Sequence, residues 1–363
     1  PVFSINRGMK DNQKAQEVMN TSFTMVCGSG IILMIAGMLF ARPLLVLFGA
    51  SEDALVYAYP YMMIYLIGTI PSMIATGMNP FINAQGYATT GMFSVAIGAV
   101  ANLILDPLFI FVLGFGIKGA AIATVLSQFL SAAYVLLFLE KRAEMKARLL
   151  KKTELKSCKE NAKNIVSLGT AGFIMQLTNS LVTICCNNVL GVTGGDVYIS
   201  VMTIVSSVRQ MVETPIYAIN EGTSPILSYN YGARNAERVK SAFFLLLKAS
   251  LGYSVLLWLL VMLFPQIFAG MFTSDAVLLD YTKTALRIYM AVMFMFGIQI
   301  SCQMAFNSLG KAISSIIVAV MRKFVLLIPL IYIMPAVFTA DKARAVYMAE
   351  PVADFIAVTF TAI

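Results

Sequence analysis

Apolar stretches of about 20 residues, each long enough to cross a bilayer as a helix, follow one another from end to end of this chain. They fall at 21–48, 54–80, 88–113, 119–139, 164–190, 197–220, 242–272, 278–306, 312–338 and 346–363, about ten in all. Hydrocarbon offers no hydrogen bonds, so a lone apolar run in a bilayer must satisfy its backbone internally, as a helix. The 363 residues are only 12% charged, about half the share that a soluble surface carries. A soluble globular enzyme, a secreted disulfide scaffold and a disordered chain are excluded. The reading is an all-α polytopic membrane protein.

The absence of histidine removes the usual proton shuttle, the commonest metal ligand and the Ser-His and Cys-His dyads. The five cysteines (Cys27, Cys158, Cys185, Cys186, Cys302) are scattered and mostly lie in apolar runs. Cys185-Cys186 has neither zinc-knuckle nor CxxC spacing. The chain is therefore not expected to be an enzyme, nor to carry a cofactor or a metal beyond Na⁺. The net charge of +8 is concentrated in one place: residues 141–163 hold nine Lys/Arg and three Glu. No aromatic residue interleaves with them, as nucleic-acid binding would want. They read as a cytoplasmic linker obeying the positive-inside rule. With that linker inside, alternation puts 1–17, 81–88, 223–241 and 307–311 on the same side, and these segments together hold 16 of the 26 Lys/Arg.

The chain repeats itself. Pro1-Val-Phe-Ser4-Ile-Asn6-Arg-Gly8 returns as Pro225-Ile-Leu-Ser228-Tyr-Asn230-Tyr-Gly232, an offset of 224. Without a gap the same offset pairs Phe48 with Phe272, Tyr57 with Tyr281, Tyr65 with Tyr289, Asn83 with Asn307 and Gly86 with Gly310. It also aligns Ser51-Glu52-Asp53 with Asp275-Ala-Val, each an N-cap candidate for the span that follows. Two duplicated, parallel bundles are expected: 1–140 and 164–363, joined by the linker 141–163. The repeated loop follows two spans in the second half but opens the chain in the first. That predicts a 6+6 plan, with two helices absent from the first bundle and the last helix incomplete. Parallel repeats are a common transporter plan, with the binding site between the halves.

The paired Pro-x-x-Ser-x-Asn-x-Gly loops, Asn83-Ala-Gln-Gly86, Asn102-Leu-Ile-Leu-Asp106-Pro107 and Gly114-Phe-Gly116-Ile-Lys-Gly119-Ala-Ala resemble the multidrug and toxic compound extrusion (MATE) transporters, on their prokaryotic DinF-like or MepA-like side. The resemblance runs over essentially the whole chain. It implies a V-shaped pair of bundles around a central cavity in the cytoplasmic membrane. It implies a monomer that exports amphipathic, mostly cationic small molecules against inward flow of Na⁺ or H⁺. The alternative within the wider superfamily is a flippase for lipid-linked glycan or peptidoglycan precursors. An intramembrane enzyme would need nucleophile–base pairs or metal ligands in its spans, and these are not evident.

Asn102 and Asp106 lie four apart and share a helix face within one apolar run. An ionisable residue inside a span is by default a functional candidate. Pro107 has no N–H and frees the carbonyl of Leu103, so a kink is expected there. Thr124, on the next span, falls at a similar depth. Carboxylate, amide and hydroxyl oxygens suit a hard cation, and the resemblance makes Asn102, Asp106 and Thr124 the cation site. The family's further aspartate, on the first helix, has no match in this sequence. Gly114–Gly119 matches the dinucleotide fingerprint literally, but apolar helices flank it, so it reads as a tight turn. Arg209 and Glu213 are also four apart, with Glu221 toward the end of the same span. Arg322 and Lys323 lie about 15 Å into theirs, where pairing with Glu213 is one expectation. Gln176, Asn179, Glu213, Gln299, Gln303 and Arg322 are the substrate-cavity candidates.

Overall fold

The structure, a computed structural model, describes residues 1–47, 52–150, 155–339 and 341–362. Phe48 and Ser51 of the repeat, and residues 151–154 of the basic segment, lie outside it. No strand occurs among the described residues. The chain divides into two compact units, Val2–Ile165 and Val166–Ile363. The first holds α1 (Val2–Gly8), α2 (Asn12–Leu47), α3 (Glu52–Ile67), α4 (Thr69–Ala84), α5 (Ala88–Pro107) and α6 (Gly116–Lys141). The boundary falls within α7 (Leu155–Thr193). Then come α8 (Asp196–Gly232), α9 (Ala236–Leu263), α10 (Pro265–Gly270), α11 (Ala276–Tyr289) and α12 (Phe296–Ser308). The last are α13 (Ala312–Val320), α14 (Ile328–Val337) and α15 (Lys342–Ala362).

The 224-residue offset holds in three dimensions. Helices start at Asn12, Glu52, Thr69 and Ala88 in the first unit, and at Ala236, Ala276, Met293 and Ala312 in the second. Gly86 and its counterpart Gly310 both adopt positive φ, at 93° and 76°, and so do Lys10 and Arg234, at 63° and 56°. The left-handed region favours glycine, which explains the repeated glycine but not the basic residues. Asp275 caps α11, its carboxylate accepting from the N–H groups of Val277 and Leu278.

Two spans drawn as single runs are bent pairs, α3–α4 by 47° and α11–α12 by 49°. The first bend falls at Gly68, where α6 approaches so closely that a Cβ would overlap Gln128 Oε1. Among the described residues, six helices are long and apolar enough to cross a membrane, or eight if each bent pair is one span. Helices α8 and α15, of 37 and 21 residues, carry buried charge. The first unit's core stacks Ile74, Met78 and Ile82 of α4, one turn apart, on Val18 and Met19 of α2 and Val135 and Leu139 of α6. That of the second unit packs Val205, Val208, Val212 and Ile216 of α8 against Leu286, Phe296 and Tyr347. Apolar residues also face outward, Leu103 at 74% and Phe111 at 78% exposure. Such surfaces belong in lipid.

The basic segment is not a free loop where it leaves α6. The chain bends at Glu144 and Met145, and residues 146–150 then run along α2, with Ala143 and Met145 buried. Gln16 Nε2 donates to Lys146 O (2.7 Å), Arg148 N donates to Asn20 Oδ1 (3.3 Å), and Leu150 N donates to Thr24 Oγ1 (3.0 Å). Side chains four apart on a helix advance about 6 Å, and two residues of extended chain advance about the same, so the two ladders stay in step. Gln85, itself buried, bonds both the N–H and the C=O of Met145. Gln85→Leu is expected to destabilise the first unit by about 1–3 kcal/mol, since both groups lose their partner. Tryptic cleavage after Lys146 or Arg148 should accelerate; an unchanged rate would mean that the α2 ladder alone holds the strap.

Candidate functional site

Helices α5 and α6 pack closely because the residues between them are small. A Cβ on Gly98 would lie 3.3 Å from Ser131 Cβ, and Ser131 Oγ donates to Ser94 O at 2.7 Å. A Cβ on Gly119 would lie 2.6 Å from the carbonyl oxygen of Phe109. That atom is backbone and cannot swing away. Gly119→Ala is expected to destabilise the unit by about 1–3 kcal/mol, read as a lower thermal midpoint; an unchanged midpoint would show that α5 and α6 can slide apart.

This close packing brings the three predicted cation ligands together. Asn102 Nδ2 donates to Asp106 Oδ1 at 3.3 Å and to Thr124 Oγ1 at 3.4 Å, and all three side chains are half-buried. Thr124 Oγ1 donates its own hydrogen to Ala120 O at 2.9 Å. Both amide contacts are long for hydrogen bonds. Turning the amide about its terminal bond would point its oxygen inward, so that carboxylate, amide and hydroxyl oxygens face one point. Such a set suits a hard monovalent cation. At Pro107 the helix passes into a π-helical turn, Leu108–Val112, closed by Leu113 N donating to Leu108 O at 2.9 Å. Single π turns recur at functional sites.

The second unit holds a different constellation. Arg209 is 6% exposed and its guanidinium reaches three carboxylates: Nε to Glu213, Nη1 to Glu350 Oε1 at 2.8 Å and Nη2 to Asp354 Oδ2 at 3.0 Å. Arg322, also 6% exposed, donates from Nε to Asp354 Oδ1 at 2.6 Å and from Nη2 to Glu350 Oε1 at 3.2 Å. Lys323 Nζ adds a 3.5 Å contact to the same Glu350 oxygen. Both guanidiniums lie over the Phe296 ring, 5.5 and 5.1 Å from its centroid, and Arg209 also lies 5.3 Å from that of Tyr289. Arg322 thus pairs with Glu350 and Asp354 rather than with Glu213. Those two carboxylates escape the sequence reading. Their signal was there: an acidic pair four apart around Pro351 in an apolar run, the spacing of Asn102 and Asp106. Glu221 is exposed.

The cavity candidates on α7 and α12 do not form one group. Gln176 is exposed and Asn179 half-buried. Gln299 is 1% exposed with Oε1 unpartnered, and Gln303 Nε2 lies 3.7 Å from Met175 Sδ. Among the described residues, no hydrogen bond joins these four amides to one another.

The repeat places the two polar clusters on equivalent helix pairs. At the 224-residue offset, Asn102, Asp106 and Thr124 correspond to Leu326, Leu330 and Met348, while Arg322, Lys323, Glu350 and Asp354 correspond to Gly98, Ala99, Leu126 and Leu130. One duplicated scaffold has acquired different chemistry in each copy.

The family model described as MatE matches residues 1–108 and 172–333, well over half of the chain. The chain belongs to this family. MatE proteins are transporters rather than enzymes, and this one is a multi-pass membrane protein. Among its curated relatives is an FAD transporter from Shewanella oneidensis, 26% identical over 300 residues, which cover 81% of this chain and 65% of the relative. The multidrug export protein MepA of Staphylococcus aureus is 23% identical over 331 residues, covering 91% of this chain and 72% of the relative. This MatE chain also superimposes on a MATE crystal structure in the bent conformation, with a TM-score of 0.90, 22% identity and coverage of 99% of this chain and 79% of that one. A MOP superfamily transporter from Pyrococcus furiosus, described as having a binding pocket of reversed polarity, gives 0.89 at 22% identity, with 99% and 80% covered. Such likenesses establish the fold.

Proposed function

We propose that this protein exports amphipathic, mostly cationic small molecules across the cytoplasmic membrane in exchange for Na⁺ or H⁺, with its basic segment on the cytoplasmic side. Asn102, Asp106 and Thr124 bind the coupling ion. One observation carries this reading: in an apolar helix pair, an amide lies within hydrogen-bond reach of both a carboxylate and a hydroxyl. Filling that site stabilises whichever conformer holds the oxygens closest. Coupling follows if the exported compound prefers the other conformer, because a ligand shifts an equilibrium only through its differential affinity. The resemblance to a multidrug export protein supports the choice of cargo.

The flippase alternative needs a basic site for pyrophosphate. In the second unit, Arg209, Arg322 and Lys323 are matched by Glu213, Glu350 and Asp354, which leaves the cluster no net positive charge to offer one. The test follows a fluorescent lipophilic cation in everted membrane vesicles while a Na⁺ or a proton gradient is imposed in turn, with FAD as competitor. Accumulation driven by one gradient and unaffected by FAD is expected. Accumulation under neither gradient, from correctly inserted protein, would overturn the reading, and FAD competition would move the cargo to a dinucleotide.

A further inference from the structure

The six charges of the buried cluster in the second unit balance, three against three, but they are unequally held. Arg209 reaches three carboxylates and Arg322 two, and both oxygens of Asp354 are taken by guanidiniums. Lys323 reaches one oxygen, Glu350 Oε1, at 3.5 Å. That oxygen already pairs with Arg209 and accepts from Arg322. An ammonium head carries three donors, so Lys323 is the least satisfied member of the cluster. Its side chain and that of Glu213 are also the most exposed, at 13% and 18%, against 8% or less for the other four. Lys323 lies in the π-helical turn Met321–Leu327, between α13 and α14. Around the cluster stand the Cys186 thiol of α7 and the phenols of Tyr217 on α8 and Tyr289 on α11.

Taking one proton from Lys323 leaves Glu350 bonded to two guanidiniums and the cluster at −1. A single positive charge at its exposed edge, beside Lys323, restores neutrality. A proton on Lys323 and a monocation at that edge repel each other strongly where the dielectric is low, so each excludes the other. We propose that this cluster is a second exchange site, at which Lys323 releases its proton to water when a monocationic amphiphile binds and regains it when the compound leaves. Only the Nζ–H bond is broken and remade. The inference rests on the cationic cargo proposed above and gives that cargo a place.

The test uses the purified protein in lipid nanodiscs, with tetraphenylphosphonium as probe in weak buffer containing a pH indicator. About one proton should be released per cation bound, and affinity should rise by up to about tenfold per pH unit, as linkage requires of a single exchanged proton. Lys323→Arg, which keeps its charge, should release none and bind at least about tenfold more weakly, a loss of about 1.4 kcal/mol. Lys323→Met should also release none, with an affinity that no longer varies with pH. Wild-type binding without proton release overturns the proposal and needs no variant. Release that survives in Lys323→Arg but vanishes in Asp106→Asn assigns the proton to the first unit, and overturns it too. No binding at any pH overturns the cationic reading itself.

Discussion

Replacing Glu350 with glutamine is expected to lower stability by about 3–5 kcal/mol, the range found when one partner of a buried ion pair is removed. Glu350 is 2% exposed, and its Oε1 forms ion pairs with Arg209, Arg322 and Lys323. Glutamine keeps the volume and one oxygen. It leaves three cations facing two carboxylates in a region with little water, and its amide can turn two donors toward them. Restoring the balance should restore the protein: the double variant with Lys323→Met has two charges of each sign and should recover most of the loss. Thermal unfolding of the four-member cycle in detergent measures both effects. A loss below about 1 kcal/mol would show that the cluster is solvated like a surface pair. Failure of Lys323→Met to rescue would mean that geometry rather than net charge holds it together.

Asp106→Asn is expected to abolish ion-driven transport while leaving the yield of folded protein unchanged. Asparagine is nearly isosteric and retains one oxygen, so the helix and its contact with Asn102 persist. What disappears is the charge. A carboxylate about 4 Å from a monovalent cation is worth about 4 kcal/mol at an effective dielectric near 20, close to a thousandfold in affinity. Thr124→Val and Asn102→Ala each remove a single neutral oxygen and should raise the half-saturating ion concentration by about tenfold. The order is the prediction, and uptake against ion concentration in vesicles measures it. Wild-type uptake by Asp106→Asn under both gradients would remove this cluster from the coupling mechanism.

Much of the first cluster could be read in the chain because its geometry is local. Asn102 and Asp106 are one helical turn apart, and the short turn between Val112 and Gly116 brings Thr124 back to their depth. The second cluster is not local in this sense. Arg322 meets Glu350 over 28 residues and Arg209 meets Asp354 over 145. Which face each helix turns toward its neighbours depends on packing around Phe296 and Tyr289, which no single span encodes. The strap at 143–150 escaped for a related reason. In composition it is a basic linker, and only the match between its extended rise and the stripe Gln16–Asn20–Thr24 holds it against α2.

The sequence by itself determined that the chain is helical, that it crosses a membrane many times, and that it is a duplicated structure with turns at equivalent places. A bilayer as solvent requires backbone satisfaction within each long apolar run, and a gap-free repeat carries its helix starts and turn glycines with it. Only the tertiary structure decided which charges within the spans cancel one another. Their energy in a low-dielectric interior depends on separations of 2.6 to 3.5 Å, which are set by the depth and rotation of helices far apart in the chain.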